Sequence, residues 1–279
     1  MTTARLGLFA MFGRLAEPPE PGTGAWRIAT DDGREGVVLM EAGRICRAHH
    51  ELAGRLGDEI ERRHGISRTA IEQVIRQCRE RREPFAASLI DHGYLTGPQL
   101  ASVLRDHTCR SILLLVRSGV RDCEWLPHQA GGYAPGATIS LPQAACHCVA
   151  TVKGLAADQL EAALEDMLAG DAAGLLIHAN TRLPLAASTA PMAWPQLRRW
   201  LGWAVRTQQL CPLPSRSYLA GRGQSAGWLM WRAGAMLGLA VTTSEDAQRR
   251  LVLRVATRIA GWTVEDGMRA TNLVPRDRR

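Results

Sequence analysis

GWLMWRAGAMLGLAVTTSEDAQRRL, residues 227–251, is the stretch that decides the fold of the second half of this chain. Its two apolar runs lie on either side of a short turn at Gly234, which is typical of an antiparallel strand pair. Ser244 then precedes a run with helical periodicity, and its hydroxyl is suited to cap the first helical turn. The segment therefore predicts two strands and a closing helix that extends through Trp262.

The elements before this segment complete the order αββαβββα. The predicted helices cover 155–169 and 194–210, and the predicted strands cover 174–179, 183–187 and 218–221. An α+β fold follows for residues 155–265, with a five-stranded, mostly antiparallel sheet flanked by helices. Residues 266–279 are predicted to be a tail.

This order of elements resembles the roadblock/dynein light chain family over about 155–262. The residues that carry the resemblance are Gly174 before the first strand, Asn180 and Thr181 in the following turn, and Gly234. The resemblance implies a five-stranded sheet with helices on its faces and a homodimer. It also implies a scaffold or regulator of a Ras-like small GTPase.

Residues 25–128 are predicted to form a mostly helical domain with a small sheet, which opens with a β-hairpin. Two helical segments inside it, beginning at Arg55 and Pro84, repeat each other with an offset of 29 residues. Ser67 and Thr96 occupy equivalent positions in the two segments and are expected to be N-caps. Each repeat unit is therefore predicted to be helix, tight turn, helix.

The first domain resembles the PATAN domain, a bacterial signalling module. The matching residues are Gly43, Arg44, Ile45 and Ala48 in a turn and strand, with Gly119 and Trp125 in the closing segment. The resemblance implies a signalling context and names no ligand.

The helical repeat also resembles the N-terminal domain of type II secretion and pilus ATPases, in which some tandem motifs bind cyclic di-GMP. Arg55, Leu56 and Gly57 match the opening of that motif and are the possible nucleotide-binding residues. The second unit has Pro84, Phe85 and Ala86 instead, so it lacks a cation for a phosphate and a glycine for close backbone approach. A cyclic di-GMP-responsive sensor using 55–107 is the alternative function.

Residues 1–24 are predicted to be an amphipathic lead followed by a linker. The lead has an apolar stripe between Arg5 and Arg14, which is expected to dock on the first domain or, alternatively, on a membrane or partner. Residues 129–154 are rich in Gly and Pro and lack a clear period. They are predicted to be a second linker.

Composition narrows the functional classes. No apolar run reaches the roughly 18 to 20 residues needed to span a bilayer, and the seven cysteines have no framework spacing, so reduced thiols in the cytoplasm are expected. Of the net charge of +7, +6 lies in the second half, where 16 basic and 10 acidic residues follow position 150. A basic nucleic-acid binder is a weaker alternative because interleaved aromatic residues are missing.

Motifs for catalysis are absent from the sequence, which contains no GxxxxGK[ST], no GxGxxG after a strand and no GxSxG. Cys146, His147 and Cys148 are adjacent, but neighbouring ligands do not readily converge on one ion. These three residues are expected to be solvent-facing or half-buried. We therefore predict no catalytic residue, no metal, no cofactor and no enzymatic activity.

The helix predicted over 194–210 carries more apolar positions than one core stripe needs. Trp200 and Trp203 are expected to turn toward another surface, while the sheet-facing positions are expected to be Trp194, Leu197, Leu201 and Ala204. Arginines flank these tryptophans, and aromatic residues with arginine are typical of protein interfaces. The predicted partner or dimer interface consists of Trp194, Arg198, Arg199, Trp200, Trp203 and Arg206.

Overall fold

A computed structural model describes residues 3–17, 22–81, 85–127, 133, 138–188, 190, 192–223 and 226–261. Its contacts divide the chain into two compact units, Met1–Ala144 and Ala145–Arg279. Each unit contains a five-stranded antiparallel sheet, so the chain has an α+β fold.

The helices are α1 (Thr3–Leu15), α2 (Leu56–His64), α3 (Arg68–Arg81), α4 (Phe85–Asp91), α5 (Gly97–Arg117), α6 (Leu141–Val152), α7 (Ala157–Leu168), α8 (Trp194–Leu210) and α9 (Glu245–Gly261). The strands are β1 (Gly24–Thr30), β2 (Glu35–Glu41), β3 (Arg44–His50), β4 (Val120–Pro127), β5 (Ile139–Ser140), β6 (Ala173–His178), β7 (Pro184–Ala187), β8 (Ser217–Arg222), β9 (Gly227–Ala233) and β10 (Met236–Thr242). None of the helices in the described ranges is long and apolar enough to cross a membrane.

The sheet of the first unit has the strand order β4-β1-β2-β3-β5. It is larger than the small sheet that the sequence predicts, because β1 joins the expected hairpin and pairs on its other side with β4, almost a hundred residues later. Helix α5 crosses β3, and α1 packs against α5 with Met11, Phe12 and Leu15 buried. The predicted lead is thus a helix docked on its own unit, and β1 begins inside the predicted linker.

The helical repeat forms a shared core. Ile60, Ile66, Ile71 and Val74 of the first repeat pack in one cluster with their counterparts 29 residues later, which are Leu89, Leu95, Leu100 and Val103. Both predicted N-caps are confirmed, since Ser67 Oγ accepts from the Ala70 N–H and Thr96 Oγ1 accepts from the Gln99 N–H. Equivalent caps and equivalent apolar positions therefore produce two equivalent helix pairs.

The sheet of the second unit has the order β7-β6-β10-β9-β8, with every neighbouring pair antiparallel. The predicted order αββαβββα is found from α7 to α9. Gly234 has a φ of +58° in the turn between β9 and β10, and Ser244 Oγ accepts from the Ala247 N–H at the start of α9. The segment 227–251 therefore folds as expected, into two strands and the start of a helix, and Trp262 lies outside the described residues.

Two helices pack on one face of this sheet and one on the other. Helices α7 and α9 contact the strands directly, and a Cβ placed at Gly227 would touch Gln248 of α9. The next residue along β9, Trp228, points to the opposite face. Its ring contacts Trp203 of α8, so α8 and α9 lie on opposite faces.

The last part of the predicted linker 129–154 is helical, because Leu141–Val152 forms α6. Every residue from Ala144 to Ala150 is buried. The helix contains no charged residue and is small or apolar at most positions, which weakens the contrast between a polar and an apolar face on which a sequence-based assignment depends.

Candidate functional site

Helix α8 has clear local reasons to begin and end where it does. Pro195 occupies the first turn, where its missing N–H costs nothing. Pro212 follows the last residue, Leu210, closely and cannot continue the helix. Between these prolines, 17 residues present two different faces.

The inner face of α8 holds it on the sheet. Trp194, Leu197 and Ala204 are buried. Trp203 is half-buried and meets Trp228 of β9 edge to face, with ring centroids 5.0 Å apart and an interplanar angle of 72°. Edge-to-face contact between aromatic rings is stabilising. Trp203 therefore packs partly against the sheet and is not fully turned toward another surface as the sequence predicts.

The outer face of α8 carries the three arginines of the predicted interface. Arg198, Arg199 and Arg206 are exposed, and within the described part of the chain none of them has an ion-pair or hydrogen-bond partner. Gly202 lies among them, and a Cβ added there would meet no atom within 4 Å. This set, which we call the α8 arginine surface, is cationic and open.

Trp200 lies half-buried at the margin of the α8 arginine surface. The structure thus places the six predicted interface residues on one helix, but these residues differ in how far they are exposed to solvent. Trp194 belongs to the core, the two other tryptophans are partly covered, and the arginines face outward. Half-exposed tryptophans beside arginines have the composition of an interface hot spot.

The arginines of α9 behave differently, because acidic side chains pair with each of them. Arg250 and Arg254 both contact Asp171, with N–O distances of 2.6 Å, and Arg258 contacts Asp166. The hydrogen bonds from Arg250 and then Arg254 lower the pKa of Asp171 to about 2. Arg249 pairs with Glu245 at 2.6 Å.

Strand β8 forms one edge of the sheet. Its side chains alternate between half-buried and exposed, with Tyr218, Ala220 and Arg222 on the exposed side. No other strand in the described ranges pairs with its outer side. An unpaired strand edge is a template for another strand. The sequence predicts this strand but does not identify it as an edge.

The possible nucleotide-binding residues lie together at the start of α2. Arg55 is exposed, and its backbone N–H donates to the Asp58 carboxylate at 3.3 Å. Leu56 packs on the repeat core. A Cβ at Gly57 would lie 3.3 Å from Cγ2 of Ile71, so helix packing already accounts for this glycine. Of the second motif, Pro84 and the Ala86 side chain lie outside the described residues.

Sequence reasoning missed a charged cluster around Glu59, which is only 4% exposed. Its carboxylate accepts from Arg62 and Arg63 of the same helix and from Arg110 of α5, at 2.5 to 2.9 Å. Burial by itself would raise the pKa of Glu59, but the arginine hydrogen bonds outweigh it and lower the pKa to about 2. The cluster joins α2 to the last part of α5, and Arg110 is too distant in sequence from Glu59 for a local pattern to reveal it.

The cysteine and histidine positions on α6 differ from the expectation. Cys146, His147 and Cys148 are buried, not solvent-facing or half-buried. Burial raises the pKa of the Cys146 thiol, which disfavours the reactive thiolate. Across the described ranges, no group of three His, Cys, Asp or Glu residues is arranged to hold a metal ion.

No known protein-family model matches this chain. A search of curated proteins also gives no significant match. The roadblock and PATAN resemblances therefore rest on the residues and element orders given above.

Proposed function

We propose that this chain is a non-catalytic bacterial signalling adaptor, a roadblock-type scaffold or regulator of a Ras-like small GTPase that works through protein contacts in the cytoplasm. The observation that carries the proposal is the α8 arginine surface. Its three exposed guanidinium groups have no acidic partner among the described residues, and they lie beside half-buried tryptophans. On the other face of the sheet, by contrast, each arginine of α9 contacts a carboxylate.

The architecture of the second unit supports the roadblock part of the proposal. The resemblance implies five strands with helices on both faces, and the order β7-β6-β10-β9-β8 with α8 opposite α9 agrees with that implication. The PATAN resemblance supplies the signalling context for the first unit. A homodimer is part of the proposal because the resemblance implies one.

The chemistry of the α8 arginine surface favours an acidic partner. Arginine binds carboxylates with paired, charge-assisted hydrogen bonds. Exposed like charges on one helix face also attract an acidic protein over about 10 Å at moderate salt, which accelerates association more than it strengthens the complex. A GTPase surface that receives α8 is therefore expected to be rich in Asp and Glu.

Regulation would follow from differential binding. If the adaptor binds the GTP-loaded partner more tightly than the GDP-loaded partner, it shifts the partner toward the GTP-loaded state by that difference in free energy. Contacts that order the switch loops would in addition accelerate hydrolysis. The adaptor needs no catalytic residue to shift the partner toward its GTP-loaded state.

The first test measures the mass of the purified protein in solution, alone and with the host's Ras-like GTPase loaded with GDP or a non-hydrolysable GTP analogue. We expect a homodimer that forms a larger complex with the GTP-analogue form only. The GDP-loaded GTPase at equal concentration is the matched control. A monomer that is indifferent to both nucleotide forms would contradict the proposal.

A further inference from the structure

Gly202 lies at the centre of α8, as the ninth of its 17 residues. Glycine in the middle of a helix is less stable than alanine, because it loses more backbone freedom on folding. A Cβ added at Gly202 would meet no atom within 4 Å. Neither the helix nor any described neighbour therefore requires glycine at this position.

The other glycines of the described helices have a local explanation. Gly7 of α1 lies against α5, since an added Cβ would come within 3.1 Å of Val116. Gly57 of α2 lies against α3, where the added Cβ would be 3.3 Å from Ile71. The remaining ones lie in the first or last turn of their helices, and these are Gly13, Gly97 and Gly261. Among the described helices, only Gly202 has neither explanation.

Cationic side chains lie on both sides of Gly202 along the exposed face of α8. Arg198 comes one turn before it and Arg206 one turn after it, which separates the two arginines by about 12 Å along the helix axis. The helix itself contains no Asp or Glu. Gly202 therefore forms a notch in the α8 arginine surface, at which another main chain can come close to the helix.

The charges around the notch exclude the same face of a second copy. In the second unit, the described acidic residues all lie on α7, on α9 or in the turn after α7, and these are Asp158, Glu161, Glu165, Asp166, Asp171, Glu245 and Asp246. Helices α7 and α9 cover the face of the sheet opposite α8. A two-fold pair of α8 helices that crosses at Gly202 would therefore place arginine against arginine in either direction, which is unfavourable. The notch fits a different protein that supplies carboxylates.

The main chain of α8 determines which kind of segment can approach the notch. Its N–H and C=O groups are already paired within the helix. A strand or loop laid on Gly202 would consequently bury its own backbone groups without partners, which is costly. An α-helix satisfies these groups internally, and two helices approach most closely where a small residue lies at their contact. The segment that fits the notch is therefore a helix.

We propose that α8 receives an acidic α-helix of the partner protein, which crosses α8 at Gly202. Its carboxylates pair with Arg198 and Arg206, and a small residue between them rests on the glycine. The expected pattern in the partner is two Asp or Glu residues about seven or eight positions apart, with Gly, Ala or Ser midway. This inference rests on the proposed function, because it assigns the element of the Ras-like GTPase that binds the α8 arginine surface.

Two substitutions test the notch without changing any charge. Gly202→Ala and Gly202→Leu leave the three arginines of α8 in place and add a side chain where the partner helix crosses. In surface plasmon resonance with the GTP-analogue-loaded GTPase, we expect affinity to fall roughly fivefold for Gly202→Ala and roughly fiftyfold for Gly202→Leu, because the contact becomes overpacked. A partner held by the arginines alone would tolerate both substitutions.

The stability of the same variants separates a binding role from a structural one. Gly202→Ala is expected to raise the melting temperature by about 2–4 °C, because alanine favours the helix and its methyl group would meet no neighbour. A gain in stability together with a loss of affinity indicates a glycine that serves a partner. Gly13→Ala on α1 is the matched control, since an added Cβ there also meets no atom within 4 Å. It should leave the affinity unchanged.

Photo-crosslinking identifies the element of the partner. Benzoylphenylalanine is introduced in place of Gln209, which is exposed on α8 two turns after Gly202, and the crosslinked residues of the GTPase are determined by mass spectrometry. We expect them to lie on one face of a single helix, about three or four residues apart, close to Asp or Glu.

Four results would overturn the inference even if the unmodified protein binds the GTPase. Gly202→Leu binds with unchanged affinity, Gly202→Ala lowers the melting temperature, or the crosslinks lie in a strand or loop. The fourth is a change in the mass of the free protein in Gly202→Leu, which would show that a second copy occupies the notch. An unmodified protein that binds neither nucleotide form would instead contradict the proposed function, and the inference would fall with it.

Discussion

Helices α8 and α9 are equally long, cover opposite faces of the same sheet and both carry arginines. On α9, each of the four arginines contacts Glu245, Asp166 or Asp171. On α8, the three arginines have no acidic partner in the part of the chain that the structure describes. The same residue type is therefore paired on α9 and unpaired, among the described residues, on α8.

This difference teaches that arginine content alone does not identify an interface. Three arginines of α9, Arg250, Arg254 and Arg258, tie that helix to α7 and to the turn after it, where Asp171 lies. Their charge is used within the fold. The charge of α8 is available to a partner, and this surface should be dispensable for stability and necessary for binding.

Both helices should contribute equally to the stability of the core, and substitutions there should give the largest loss of folding free energy. Leu197 of α8 and Leu251 of α9 are fully buried on opposite faces of the sheet. Replacing either by alanine is expected to lower the free energy of unfolding by about 2–5 kcal/mol, because it removes buried carbon and leaves a cavity. Urea denaturation measures the loss. Leu210→Ala, at an 88% exposed position, is the control and should have little effect.

Pairing of arginine with a buried carboxylate should matter in the first unit as well. Glu59→Gln is expected to lower the free energy of unfolding by about 1–3 kcal/mol, because a buried charged hydrogen-bond acceptor is lost while its arginine partners retain access to water. Glu72→Gln breaks an exposed pair with Arg68 and should cost less than about 0.5 kcal/mol. Equal losses in the two variants would contradict this dependence on burial.

The α9 pairs predict a specific dependence on pH. The pKa of Asp171 in the folded protein is lowered from 3.8 to about 2. The group therefore stabilises the fold fully above its unfolded pKa, and this stabilisation is lost as the pH falls from about 4 toward 2. Asp171→Asn should lower the melting temperature near neutral pH and show a smaller further decrease on acidification.

Arg198→Gln is the control for that experiment. Because Arg198 has no acidic partner among the described residues, the variant should melt like the unmodified protein at each pH. A lowered melting temperature at neutral pH would show that α8 also uses its arginines for stability, and the contrast with α9 would disappear.

The smallest effect is expected at the start of the helical repeat. Gly57 is already explained by its packing on Ile71, and the second repeat unit lacks the arginine and glycine of the first. We therefore expect no saturable heat of binding when cyclic di-GMP is titrated into the protein, and no change in stability for Arg55→Ala. Saturable binding that Arg55→Ala abolishes would favour the nucleotide-sensor alternative.

The sequence predicts most of the second unit because its signals are local. The turn at Gly234, the cap at Ser244 and the alternation of strands and helices each depend on neighbouring residues. The 29-residue repeat can also be predicted from the sequence, since the equivalent apolar positions of its two units form one cluster in the structure. Local chemistry and the final fold agree in these segments.

Features that depend on distant residues could not be predicted in the same way. Strand β1 is recognised as a strand only through its pairing with β2 and β4. Asp171 and Arg254 are more than eighty residues apart. Likewise, the pattern of α8 allows Trp203 to face outward, and only the position of Trp228 explains why it is half-buried.

The most direct test of the central claim compares two triple charge reversals. One variant replaces Arg198, Arg199 and Arg206 of α8 by glutamate. The other replaces Arg76, Arg79 and Arg81 of α3, which are also exposed and have no ion pair with a described residue. The two variants have the same net charge, so they differ only in where the charge is changed.

Affinity for the GTP-analogue-loaded GTPase is measured for both variants by surface plasmon resonance, with melting temperatures as a check on folding. We expect the α8 variant to lose at least a hundredfold in affinity, chiefly through slower association, while the α3 variant binds like the unmodified protein. Equal affinities of the two variants would contradict the claim that α8 presents the partner-binding surface.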